Sequence, residues 1–191
     1  GIIALILCVM ISAWHHDVMA IVTSSVYGIS MILLYSMSSI YHGLRDGMAK
    51  RVFQVLDHCA IYILIAGTYT PIALCSIRAV DNTIGWAVFI IEWALAVIAI
   101  IFNAIDLKKY RVMSMICYLA MGWVIIFFIK QTYDVMYLGG VVFLVTGGIA
   151  YTIGSVLYGL GKTKKWMHSI FHLFILAGSV LHFFAIILYA L

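Results

Sequence analysis

Long uninterrupted apolar runs constrain this chain more than any other feature. They fall at about 1–14, 18–42, 53–77, 84–105, 112–129, 135–159 and 167–191. An α-helix rises about 1.5 Å per residue, so roughly 20 apolar residues cross the hydrocarbon of a bilayer. No water is present there to satisfy an open backbone, which makes each run a helix. The expected fold is an all-α integral membrane protein, a seven-transmembrane helix bundle formed by residues 1–191 as a single domain. The first run is short and starts without Met, so the sequence is expected to begin inside helix 1. A cleaved signal peptide fits less well, because no basic leader or small-residue cleavage site is visible.

Hydrophobic residues make up 66% of the chain and charged residues 9%, with a mean hydropathy of +1.17. That composition leaves no material for a separate soluble domain. The net charge of +4 does not point to nucleic acid, since the basic residues fall in short loops between runs. Membrane lipids are the expected partners. Cys8, Cys59, Cys75 and Cys117 lie one each in apolar runs without CxxC spacing, and read as small buried hydrophobes.

Loop charge orients the bundle. Arg45, Lys50 and Arg51 fall in loop 2–3; Lys108, Lys109 and Arg111 in loop 4–5; Lys162, Lys164 and Lys165 in loop 6–7. Those nine are most of the 11 Lys and Arg, and the opposite loops hold only Arg78 and Lys130. The positive-inside rule then predicts three cytoplasmic basic loops, a cytoplasmic N-terminus and a C-terminus outside.

Orientation gathers the polar residues of three helices. His42 ends helix 2, Asp57 opens helix 3, and His168 and His172 open helix 7. All four are expected roughly 5–10 Å inward from the basic loops. His168 and His172 are four residues apart and so share a helix face. Imidazole is the commonest side-chain metal ligand, and three of them leave one position of a tetrahedral zinc open. Asp57 is either a further ligand or the group that holds and deprotonates a water. Ser38 is one turn before His42 on the same face, against the alternative of a bond to its own helix. His58 points about 100° away from Asp57 and reads as packing. His182, about 15 Å deeper than His172, reads as an interior polar partner.

Ser38-x-x-x-His42, Asp57, His168-x-x-x-His172 and the following His182-Phe183 resemble the hemolysin III and progestin/adipoQ receptor family. Gly67-Thr68-Tyr69-Thr70-Pro71 and the seven runs extend the resemblance over nearly the whole chain, and its short loops look like the bacterial hemolysin III branch. The resemblance implies zinc on His42, His168 and His172 near the cytoplasmic face, with Asp57 and Ser38 flanking a water. The acidic, Asn-containing segment that usually precedes the family's first helix does not fall within this sequence. What the family implies for activity leaves three classes open. These are a zinc hydrolase of a lipid amide or ester in the plasma (inner) membrane of a bacterium, a pore-forming cytolysin, and a non-catalytic regulator or sensor of membrane lipid. A retinal protein is set aside because 167–191 contains no Lys, and a b-type haem because no second helix offers a matching histidine pair.

Three further expectations concern single elements. Glu92 lies mid-span, where an ionisable group marks a functional position by default. With no cation near its depth, a protonated carboxyl bonded to a neighbouring helix is the favoured reading. Tyr151, Gly154 and Tyr158 fall at helical spacing and are expected to form a packing seam. Pro71 frees the carbonyl of Gly67 and is expected to kink helix 3.

Overall fold

The corner between the first two helices shows how tightly this chain turns. His16 takes a left-handed backbone conformation (φ 54°) and Asp17 follows as a helix cap. The Asp17 carboxylate accepts hydrogen bonds from the N–H groups of Met19 (2.8 Å) and Ala20 (3.1 Å), two donors that a helix start otherwise leaves open. The computed structural model describes residues 1–107, 109–160 and 166–191, without the side chains of Arg111, Leu160 and His168. Every regular element among the described residues is helical.

The helices are α1 (Ile2–Trp14), α2 (Val18–Gly43), α3 (Met48–Val80), α4 (Asn82–Asp106), α5 (Arg111–Gly122), α6 (Ile129–Leu160) and α7 (Met167–Tyr189). A 3-10 turn at Val124–Phe128 joins α5 to α6. Within α6, Tyr137 has non-helical angles (φ 52°, ψ −176°) that break the run in two. Five helical stretches are long and apolar enough to cross a membrane: Val18–Gly43, Met48–Val80, Asn82–Asp106, Val112–Gly159 and Ser169–Tyr189. Ile2–Trp14 is apolar but shorter.

Polarity runs opposite to that of a soluble protein. Large apolar side chains face outward along the helices, among them Ile105, Phe127, Leu173 and Leu188. Buried positions hold Ser12, Thr23, Ser24, Thr68 and Thr70, whose hydroxyls bond back to carbonyls of their own helices. Small residues let helices touch: a Cβ on Gly67 would collide with Ser30 of α2. An apolar surface over a small-residue interior is what an integral membrane helical protein requires.

α3 is the centre of the packing. Of its most apolar stretch 78% is buried, against 44% in α2, 28% in α4 and 22% in α7. Past Pro71 it continues as a π-helix over Ile72–Ile77, so the expected disturbance at proline takes the form of widened turns. The four cysteines form no disulfide.

Glu92 departs from expectation. Its side chain is fully buried, yet neither carboxyl oxygen has a hydrogen-bond partner among the described residues. The α3 hydroxyls near this level are committed elsewhere. Tyr69 donates to the Gly122 carbonyl and accepts from Ile125 N–H, while Thr70 donates to Ala66 and accepts from Trp93 Nε1.

Candidate functional site

Ser38 and His42 leave the last turns of α2 on one face, Asp57 and His58 sit in the third turn of α3, and His172 lies in the second turn of α7. All five line one cavity of about 510 Å³. The imidazoles of His42 and His172 meet edge to face, with centroids 5.1 Å apart and planes at 88°. Each is backed by the ring before it in sequence, Tyr41 at 4.7 Å and Phe171 at 4.8 Å. Two imidazoles on one tetrahedral zinc, each bonded at about 2.0–2.1 Å, would hold their centroids roughly 5 Å apart. Edge-to-face packing allows the same spacing, so the remaining donors matter.

The third expected ligand, His168, has a side chain outside the described residues, as do the whole residues Lys108, Lys162, Lys164 and Lys165. Among the described residues no group of three or more His, Cys, Asp or Glu side chains is arranged to hold a metal ion. The expected three-histidine set includes His168, four residues before His172 in the sequence. His58 is engaged within the protein: Nδ1 donates to the Gln54 carbonyl at 2.8 Å, and Nε2 accepts from the Tyr158 hydroxyl at 3.1 Å. Both ring nitrogens are used, in keeping with a packing role.

A second polar group lies deeper in the same cavity. The Tyr35 hydroxyl donates to Ser179 at 2.7 Å, and the Tyr151 hydroxyl is 2.8 Å from the same oxygen. Tyr35 precedes His42 by seven residues and Ser179 follows His172 by seven, so antiparallel α2 and α7 keep matching depths over two turns. His182 lies beyond, its ring edge-on to Tyr151 at 5.1 Å and its Nε2 3.1 Å from the Leu144 carbonyl. Ile61, Leu64, Ile65, Leu119 and Ile175 supply apolar wall.

The sequence model of haemolysin-III related proteins matches residues 1–183. The chain belongs to the haemolysin-III related family. It is 39% identical to Hemolysin-3 of Bacillus cereus over 188 residues, covering 98% of this chain and 84% of that protein. The Hemolysin-3 homolog of Bacillus subtilis (strain 168) is 35% identical over 186 residues, covering 97% and 85%. The human monocyte to macrophage differentiation factor is more distant, 25% identical over 173 residues, with 86% and 69% covered. No solved structure matches.

In this haemolysin-III relative, sequence spacing misses much of the cavity wall. Tyr151 and Tyr158 line the void with Tyr35, Tyr118 and Trp123, whereas the seam reading had them only packing. Gly154 does pack, since a Cβ there would sit 3.3 Å from Ile175. Helical periodicity shows that residues share a face but not whether it looks onto a helix or a void. One signal was available for Tyr35, which lies two turns from His42 on the Ser38 side of α2.

Proposed function

We propose that this protein is a zinc-dependent hydrolase of a lipid amide or ester, acting at the inner leaflet of a bacterial plasma membrane. His42, His168 and His172 are its ligands, with Asp57 and Ser38 in support. The observation that carries the reading is the meeting of His42 and His172 at the end of an apolar cavity that Ser38 and Asp57 also line. Zinc, when bound, supplies a Lewis acid and lowers the pKa of a coordinated water to about 7. Asp57 would take a proton from that water, Ser38 would donate to a substrate carbonyl, and the apolar wall would take the acyl chain while excluding bulk water.

Seven spans, with the N-terminus inside and the C-terminus outside, belong to the same proposal. Val112–Gly159 has 48 residues, which as one straight helix would extend about 72 Å, over twice a bilayer's hydrocarbon. The break at Tyr137 divides it into two pieces of span length, the first of which contains the 3-10 turn. Those two, the four other long helices and Ile2–Trp14 make seven.

The test joins metal content to turnover. Elemental analysis of the purified protein is expected to give one zinc per chain, lost in His42→Ala, His168→Ala and His172→Ala. Fatty acid release from a panel of amide- and ester-linked lipids should disappear with it. Unchanged zinc in all three variants would remove the site. The name of the Bacillus cereus relative favours a second reading, a pore-forming cytolysin. Leakage from liposomes without hydrolysis of any lipid would favour that reading.

A further inference from the structure

The cavity stops at one level on every helix that lines it. Among the described residues its deepest lining is Leu34 on α2, Tyr69 on α3, Trp123 at the end of α5, Gly148 on α6 and His182 on α7. Leu34 precedes His42 by eight residues, Tyr69 follows Asp57 by twelve and His182 follows His172 by ten. At the helical rise those spacings put the floor about 12–18 Å from the candidate site. Hydrogen bonds between helices hold the floor together. The Tyr69 hydroxyl donates to the Gly122 carbonyl at 3.1 Å, joining α3 to α5, and Trp123 Nε1 donates to Thr152 of α6 at 3.0 Å. Within one turn beyond the floor, the bundle is filled by side chains. Met31, Ile72, Ile125, Leu144 and Ile186 are each no more than 6% exposed and belong to one apolar cluster. The cavity is thus an apolar well with polar residues at its mouth and a closed, cross-linked floor.

We propose that this well gauges the length of a bound lipid's alkyl chain, its floor at Leu34, Trp123 and Gly148 selecting saturated chains of twelve to fourteen carbons. The reading takes from the proposed function only that the lipid's polar linkage lies between His42, Asp57 and His172. It does not require turnover. An extended chain advances about 1.2 Å per bond, so a well about 15 Å deep holds about a dozen bonds. Moving a chain from the bilayer into the well exchanges one apolar surrounding for another, so no hydrophobic gain grows with length. Fit sets the preference instead. A shorter chain leaves wall atoms without contacts, and a longer one has to fold back from helices that the floor bonds tie together.

The test is equilibrium binding of saturated fatty acids of eight to eighteen carbons to the full chain in phosphatidylcholine nanodiscs, corrected for partition into protein-free nanodiscs. Wild type is expected to bind best at twelve to fourteen carbons and to hold the eighteen-carbon acid about tenfold less tightly. A Cβ on Gly148 would sit 3.6 Å from the Trp123 ring, an ordinary contact. Gly148→Leu therefore fills the floor and should move the optimum to shorter chains by about three carbons, the reach of its own side chain. Trp123→Ala opens the floor and should move the optimum the other way. General loosening of the bundle would not give opposite shifts. A wild-type profile that is flat, or still rising at eighteen carbons, overturns the proposal, and so does failure of wild type to bind any of the acids. An optimum that stays in place in both variants, or shifts the same way in both, overturns it too. A length optimum without hydrolysis of any lipid would remove the hydrolase reading and leave the gauge standing. Hydrolysis without a length optimum would do the reverse.

Discussion

Among the described residues of the cavity wall Asp57 is the one carboxylate, and it shares that wall with histidines of two other helices. Asp57→Asn preserves shape but replaces one acceptor oxygen with a donor and cannot take a proton. Zinc content is expected to stay at one per chain while lipid hydrolysis falls by roughly 10² or more, the usual size of general-base help. Elemental analysis and fatty acid release, measured on the same preparation, check it; undiminished hydrolysis would exclude Asp57 as the base. The residues of this end were legible because they are polar where the chain is otherwise apolar. His42 and His172 stood out by residue type and depth, and the structure brings their rings together. Tyr35, Tyr151 and Tyr158 did not, because tyrosine is common in membrane helices and its spacing is the same in a seam and in a cavity wall. Glu92 stood out equally well, but sequence could not tell that the opposing hydroxyls of Tyr69 and Thr70 would already be engaged.

Helix limits follow a different logic from apolar runs. The third run suggested 53–77, but α3 extends over Met48–Val80 and takes in Lys50 and Arg51. The helix continues into the headgroup region, where side chains turn polar while backbone hydrogen bonding goes on, so apolarity marks the hydrocarbon and not the helix end. Capping gives the sharper signal. Asp17 satisfies two N–H groups at the start of α2. Asp17→Ala is expected to lower stability by about 1 kcal/mol, seen as a reduced thermal midpoint in detergent, with Asp17→Asn keeping most of it. An unchanged midpoint in Asp17→Ala would show that the corner is held by packing alone. Pro71 announced a disturbance in α3, but its form, six residues of π-helix, depends on neighbouring helices that local sequence does not encode.

Sequence could not reveal that α3 occupies the middle. Lipid tails are as apolar as a protein interior, so a helix wrapped by helices and one facing the bilayer have similar composition. The overall orientation rests on charge and has a direct test. A cysteine introduced near Lys50 or Lys109 should react with an impermeant maleimide only from the cytoplasmic side, and one near Asp81 only from outside. Labelling of the first two solely from outside would invert the bundle.

Bilayer thickness bears unequally on the two halves of the candidate site. Asp57 rides on α3, whose apolar stretch is 78% buried, and His172 on α7, where 22% is buried. A helix gripped by lipid answers a thicker or thinner bilayer by tilting, at a cost of fractions of a kcal/mol per Å of mismatch. One sheathed in protein has little lipid to answer to. Tilt of α7 against a stationary α3 would change the spacing between His172 and Asp57, so the length of the surrounding acyl chains is expected to alter the geometry of the candidate site.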